Sequence, residues 1–287
     1  MRFAGEEGTR PYQGTAWHYA EYRPRPSDGF VRLLANHLGW SADDRVLDLG
    51  TGPGQIALTL APYVGEVVGV DAEVDMIEEG ARRAAAAGLT NTRFVAGRAE
   101  ELAAFGEEPG SFRAVTIGSA FHWMLDQDAV LRDLAVLTQA EAGTVSLVGF
   151  DVGGPMVALD GRDDRPWLQR EPWSVVEAIL ARYLTDVAAR PHPRGRHDPF
   201  PEIFGRSSFS RLELIRYEYD EWDTPSVEAA IGAHYSGSHA LSRLGDRRAA
   251  FESEVREALA DADTSPVLVR KIDSALIGHR TRGPLRT

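Results

Sequence analysis

The sequence predicts an α/β fold: a seven-stranded, mostly parallel sheet with helices on both faces, joined to a largely helical cap. Three observations lead there. Short apolar runs alternate with helical patterns between residues 41 and 150. The first run, VLDL, breaks into the turn GTGPG and feeds a helix. After Phe150 the alternation gives way to Pro-rich loops and helices before two late strands.

Residues 1–28, with YQGTAWHYAEYRPRP at their centre, are too aromatic for a free tail and too interrupted by proline for a long helix, so they are expected to dock as a lid. GFVRLLANHLGW has apolar residues at helical spacing, and SADD turns the chain into the buried strand RVLDLG. A helix from Gln55 to Ala61 follows, then strand EVVGVD, helix VDMIEEGARRAAAAG, strand TRFVAGRAE, strand FRAVTIGS, helix DQDAVLRDLAVLTQ and strand GTVSLVGF.

Beyond these, DVGGPM and LDGRDDRPWLQREPW read as loops, WSVVEAILARYLTDVA as a helix, and RPHPRGRHDPFPEIFG as a long excursion of the kind that forms lids. FSRLELIRYEYDEW returns to strand alternation. TPSVEAAIGAHYSGSHALSRLG and DRRAAFESEVREALADA are helical, and VLVRKIDSALIGHR supplies the last strand. The expected organisation is an N-terminal lid and helix at 1–40, a core at 41–150, a cap insertion at 151–207, a core strand at 208–223, a helical cap insertion at 224–264, and the last strand and tail at 265–287.

At 287 residues with 43% apolar composition, the chain can bury a substantial core. Against 31 Lys+Arg stand 43 Asp+Glu, a formal charge of -12, whose field repels nucleic acid and acidic lipid. A small neutral or cationic substrate suits that balance better. Lys271 is the single lysine, a skew without functional weight. The absence of cysteine excludes disulfides, thiolate metal sites and cysteine nucleophiles. MRFAGEEGTRPYQG has no signal-peptide apolar region, and no stretch approaches the roughly 20 apolar residues of a membrane span, so the expected location is cytoplasmic.

A strand ending in DLGTGPG presents backbone N–H groups at the carboxyl edge of the sheet, where open α/β folds bind ligands. Gly50, Gly52 and Gly54 give a GxGxG spacing. A dinucleotide fingerprint wants its third glycine at position 55, which is Gln55, and this disfavours NAD or FAD. A ribose-binding carboxylate is expected about 20 residues on, and Asp71 in VVGVDAEVDM supplies it. A nucleoside fits, without clear provision for a diphosphate.

VLDLGTGPG and VGVDAEVDMIEEG, in this order and followed by GRAEEL and AVTIGSAFHW, resemble the motifs of the class I S-adenosylmethionine-dependent methyltransferases, with a Rossmann-like sheet, over Arg45 to Phe150. SAFHWM and YAEYRP look more narrowly like the subgroup of trans-aconitate methyltransferase-like and actinobacterial natural-product enzymes. The resemblance implies S-adenosylmethionine as cofactor. Gly50 and Gly52 would lie along its methionyl and ribose parts, Asp48 near its amino group, and Asp71 on the ribose hydroxyls. Ala72 and Met76 would pack on the adenine, with Ala99 and Glu100 beside the adenine amino group. Gly118 and Ser119 would line the methionyl carboxylate and sulfonium, and the Tyr19/Arg23 region would close over that carboxylate. A guanidinium can grip a carboxylate through two parallel hydrogen bonds, which suits Arg23.

His122 follows the fourth strand. An isolated histidine is by default a hydrogen-bonded structural residue, yet an imidazole with an ordinary pKa near 6.5 can also take a proton from a hydroxyl or ammonium nucleophile. It is the catalytic candidate. Trp17 and Trp123 are candidates for an aromatic wall against substrate, with core contacts as the alternative. His234, Tyr235 and His239 in AHYSGSHA are candidates for substrate contact. His192 and His197 lie in a Pro/Gly loop without further ligands at regular spacing, so no metal is expected.

The resulting expectation is methyl transfer to an N or O atom of a small metabolite, such as an amino sugar or other amine of secondary metabolism. The partner is then a small molecule, with no nucleic acid and no membrane, and a homodimer is the candidate assembly. The alternatives are an NAD-dependent oxidoreductase and a non-catalytic S-adenosylmethionine-binding protein of the same fold. Methylation of nucleic acid or protein is disfavoured by the acidic charge and by GSAFHW where an NPPY-like motif would stand. RNA methylation by another site type stays open.

Overall fold

The structure is a computed structural model, and it describes residues 12–150, 173–184, 198–237 and 240–281. The chain divides into two compact units. The larger comprises Pro24–Pro166, Ala189–Asp223 and Pro266–Thr287, and the smaller Met1–Arg23, Trp167–Ala188 and Thr224–Ser265.

The larger unit is built on one seven-stranded sheet. Its strands are β1 (Arg45–Leu49), β2 (Glu66–Asp71), β3 (Thr92–Ala96), β4 (Ala114–Gly118), β5 (Thr144–Phe150), β6 (Arg211–Asp223) and β7 (Val267–His279), in the spatial order β3-β2-β1-β4-β5-β7-β6. The first five run parallel, whereas β7 is antiparallel to both β5 and β6. Burial explains the sequence of the central strands. Val46, Leu47 and Leu49 are all at most 2% exposed, because helices cover both faces and leave no polar side.

Helix α2 (Asp28–Leu38) covers one face. Ser27 caps it by accepting the Phe30 N–H, and Gly39, at φ 65°, ends it in the left-handed conformation that glycine adopts without steric cost. Phe30, Val31, Leu34, Ala35 and Leu38 recur at helical spacing and are buried with Val46, Val67 and Ala275. Each such large side chain contributes about 1.5–3 kcal/mol on full burial. This places α2 in the core of the larger unit, although the sequence reading grouped it with the N-terminal lid. On the same face run α3 (Gln55–Leu60) and a short 3₁₀ turn at Ala61–Tyr63. The opposite face is packed by α5 (Gln127–Leu137) and by α7 (Phe200–Gly205), with Phe112, Leu131, Leu134, Phe204 and Phe209 fully buried there. Between β2 and β3 lies α4 (Val74–Ala86).

Two segments differ from expectation. The strand read through TRFVAGRAE stops at Ala96, where Gly97 donates its N–H to the Asp71 carbonyl at 2.8 Å, and Ala99–Phe105 winds into 3₁₀ turns. The end of the Pro-rich excursion is helical: Pro201 sits in the first turn of α7, where a missing N–H costs nothing.

The smaller unit holds α1 (Ala16–Tyr22), α6 (Trp173–Tyr183), α8 (Val227–Tyr235), α9 (Ala240–Leu244) and α10 (Arg248–Ala258). Val176, Ile179, Ile231, Tyr235, Phe251 and Val255 form its core. Gly232 is required where α1 meets α8, since a Cβ there would lie 2.2 Å from the Tyr22 ring.

Candidate ligand site at the carboxyl edge of the sheet

The chain leaves β1 toward β2 and β3 on one side, then returns to lay β4 and β5 on the other. The reversal between β1 and β4 is the topological switch point, where such sheets open a crevice at their carboxyl ends. Gly50, Gly52 and Gly54 follow β1 there with φ of 70°, 54° and 82°, all in the region that disfavours a Cβ. The turn is tied to β2, because the N–H groups of Gly50 and Thr51 both donate to the Val70 carbonyl, at 2.8 and 3.0 Å. Gly50 also sits against the turn after β4, and a Cβ on it would lie 2.4 Å from the Ala120 Cβ.

Asp71 ends β2 and reaches back to this turn. Its Oδ2 accepts the Gly52 N–H at 2.8 Å and its Oδ1 the Glu73 N–H at 2.9 Å. Burial pushes its carboxyl above the ordinary carboxylate value, against the pull of those two N–H groups. Asp48, on β1, is fully buried. Thr51 Oγ1 donates to its Oδ2 at 2.6 Å, and Thr116 Oγ1, from its register partner on β4, to its Oδ1 at 2.7 Å. Burial outweighs both hydroxyls and raises its pKa from 3.8 to about 6, with the Asp71 charge adding in the same direction. Sequence reading missed Thr51 and Thr116. The second can be found only when β4 is known to lie beside β1.

The other expected cofactor residues of the larger unit gather along the same edge. Ala72 is exposed after Asp71, and Met76, 3% exposed, lies in the first turns of α4. Ala99 packs on the core, while the Glu100 carboxylate accepts the Leu125 N–H at 2.9 Å and so holds the loop after β4. Gly118 ends β4. Ser119 is the single non-glycine with positive φ among the described residues, at 49°, a conformation that costs a side-chain-bearing residue about 1–2 kcal/mol. That kink leads into a 3₁₀ turn at Phe121–Trp123, which carries His122 and Trp123 with ring centroids 5.6 Å apart. Gln127, 4% exposed, fixes the turn by donating Nε2–H to the Phe121 carbonyl at 2.7 Å.

The remaining expected residues belong to the smaller unit. Trp17 is 51% exposed there, and the Arg23 guanidinium lies 5.5 Å from the Tyr19 ring centroid. His234 Nδ1 is 2.7 Å from the Ala230 carbonyl, and its ring lies 5.2 Å from that of Trp173. Burial lowers its pKa. Tyr235 is a core residue, 1% exposed, whose hydroxyl donates to Glu252 at 3.1 Å beneath the Arg248 guanidinium. His239, like His192 and His197, lies outside the described residues. Among the described residues no group of three or more His, Asp or Glu side chains could hold a metal, and no helix is long and apolar enough to cross a membrane.

Residues 46–141 match a family described as a methyltransferase domain. An uncharacterized methyltransferase of Bacillus subtilis, YcgJ, is 40% identical over 125 residues, covering 44% of this chain and 48% of that protein. The solved structure of YcgJ superposes with a TM-score of 0.50 at 20% identity, over 90% of this chain and all of its own. A ubiquinone biosynthesis O-methyltransferase from Albidiferax ferrireducens is 32% identical over 180 residues, 62% of each chain. A 23S rRNA (uracil(1939)-C(5))-methyltransferase, RlmD, from Marinomonas posidonica is 40% identical over only 68 residues, 23% of this chain and 16% of that protein. The chain thus spans about half the length of YcgJ in sequence, and much less of RlmD. With the strand order and the glycine turn, the match makes residues 46–141 a methyltransferase domain of the class I S-adenosylmethionine-dependent type.

Proposed function

We propose that the chain transfers a methyl group from S-adenosylmethionine to an N or O atom of a small metabolite, such as an amine or amino sugar of secondary metabolism. The observation that carries this reading is the hold of Asp71 on the Gly52 and Glu73 N–H groups, which sets a carboxylate beside the glycine turn. A carboxylate accepts about four hydrogen bonds, so acceptor capacity remains for a vicinal ribose diol.

Charge favours the same ligand. Asp48 and Asp71 both sit at this edge with raised pKa, so a cationic ligand that restores their ionised forms binds with advantage. A dinucleotide would bring a pyrophosphate toward two carboxylates, and Gln55 stands where its turn needs glycine.

S-adenosylmethionine, when bound, supplies a sulfonium-activated methyl for in-line displacement. The protein's part is mostly alignment, which can save about 7–11 kcal/mol. Gly50 and Gly52 give close backbone approach, Asp71 orients the ribose, and His122 takes the acceptor's proton, a contribution of about 10²–10⁴-fold.

A net charge of -12 supports a small molecule over RNA as acceptor. The RlmD similarity, confined to 68 residues, carries RNA as the second reading. Calorimetric titration with S-adenosylhomocysteine and with NAD⁺ separates the cofactors. A panel of amines, phenols, alcohols and rRNA fragments, read by mass spectrometry, separates the acceptors. Binding of NAD⁺ without S-adenosylhomocysteine would overturn the reading, and methylation confined to rRNA would replace its acceptor.

A further inference from the structure

Strand β6 is an outer strand of the sheet, and among the described residues no strand pairs with its outer edge. At 13 residues it is far longer than the parallel strands, of which β5, with 7, is the longest. Its inner edge pairs with β7 along the whole length, whereas β5 reaches only Asp273–His279 of β7. Residues 218–223 and 267–272 therefore continue past β5 as a two-stranded ribbon. On it Trp222 and Leu268 are register partners, 67% and 53% exposed, and Leu214 farther down β6 is 50% exposed. A long unpaired edge with apolar side chains is a template for another strand.

We propose that β6 is the interface of a symmetric dimer, in which a second copy of this chain adds its own β6 antiparallel and the two sheets continue as one. A two-fold axis perpendicular to the sheet keeps each face on its own side. Since neighbouring residues point to opposite faces, the axis must pass through a residue and not between two.

Centred on Tyr217, all 13 residues of β6 find a partner. Arg211 meets Asp223 and Arg216 meets Glu218, each twice by symmetry. Leu212 meets Trp222, Ile215 meets Tyr219, and Tyr217 meets its own copy. These are opposite-charge and aromatic–aliphatic pairs, the kinds that stabilise antiparallel strands.

The two less favourable meetings are already compensated within each chain. Leu214 faces Asp220, whose carboxylate is held by Arg270 at 2.6 and 3.0 Å. Glu213 faces Glu221. Glu213 is held by His37 at 2.9 Å and His279 at 2.8 Å, which keep its carboxyl below the ordinary value, and Glu221 by Lys271 at 2.7 Å. Moving the axis one residue either way sets Arg216 against Arg216 or Glu218 against Glu218, so charge selects the Tyr217 register.

Light scattering or sedimentation at physiological ionic strength tests this directly, since the -12 charge of each chain is then screened beyond about 8 Å. The wild type is expected at twice the 31.4 kDa chain mass. Arg216→Glu places a carboxylate against Glu218 of the second copy and should raise the dissociation constant by about tenfold or more. The double variant Arg216→Glu, Glu218→Arg restores the pair and should restore the dimer, with circular dichroism unchanged throughout. A wild type that stays at 31.4 kDa at every concentration, a dimer indifferent to Arg216→Glu, or a double variant as dissociated as the single one would each overturn the proposal.

Discussion

Asp71 and Gly52 are joined by a 2.8 Å hydrogen bond from the backbone of a glycine turn to a carboxylate 19 residues later, and this bond fixes where the carboxylate points. Hydrogen bonds to charged groups are worth about 1.5–3 kcal/mol. Asp71→Ala should therefore weaken S-adenosylhomocysteine binding by about 10- to 100-fold, measured by calorimetry. Asp71→Asn, which keeps an acceptor oxygen but loses the charge, should fall between. Unchanged affinity in both variants would remove Asp71 from the ligand site.

The close approach of Gly50 to Ala120 yields a double-variant test. Gly50→Ala forces a left-handed alanine, about 1–2 kcal/mol, and a 2.4 Å Cβ contact, about 1–3 kcal/mol more. Adding Ala120→Gly relieves the contact but not the backbone strain. Urea unfolding should show the second change recovering part of the loss, and strictly additive effects would show that the two loops do not press on one another.

Stability should carry the signature of Asp48. Its folded carboxyl titrates at about 6 against an ordinary 3.8, so the folded state binds the proton more tightly than the unfolded chain. Its contribution is fully present below the unfolded pKa and is lost as pH rises through the folded one, a change of about 3 kcal/mol. Relative to Asp48→Asn, the wild type should lose stability between about pH 4 and pH 6 in urea melts. In the same interval S-adenosylhomocysteine should bind more tightly as pH rises, because the ionised carboxylate is the form that favours the ligand's α-ammonium group. A wild-type minus variant difference flat across this window would assign Asp48 an ordinary pKa.

His122 sits on a turn fixed from below by Gln127, and the two residues separate chemistry from positioning. His122→Ala should lower kcat by about 10²–10⁴-fold with little change in S-adenosylhomocysteine affinity. Gln127→Leu, which keeps the imidazole but frees its turn, should lower kcat less and leave the pH profile in place. Turnover unaffected by His122→Ala would end its role as a base.

The parallel half of the sheet was legible because each strand is an apolar run closed by a glycine or an aspartate, and because both faces are covered. Asp48, Gly50, Gly52 and Asp71 could be marked from one strand–turn–helix pattern and a spacing of about 20 residues. Thr116 could not, since its role arises from register pairing with Asp48 across a strand boundary with no trace in local sequence. Gln127 was equally silent, being an ordinary residue at the start of a helix. The 3₁₀ turns at Ala99–Phe105 escaped because GRAEEL follows β3 without a strong breaker beyond Gly97, and that glycine is explained only by the Phe105 ring, 2.4 Å from where its Cβ would be. Strand alternation in β6 and β7 was visible, but periodicity of two carries no information on direction, so their antiparallel pairing was not.

The placement of β7 bears on how the chain assembles. Among the described residues it is the last strand in sequence, yet it lies inside the sheet between β5 and β6. During synthesis β5 therefore waits with an open edge, and β6, made more than 40 residues before β7 is complete, has no place in the sheet until then. Closure of the sheet is thus a late, long-range event, and a chain cut short before Val267 would leave the edge of β5 and the inner edge of β6 without the strand that pairs with both.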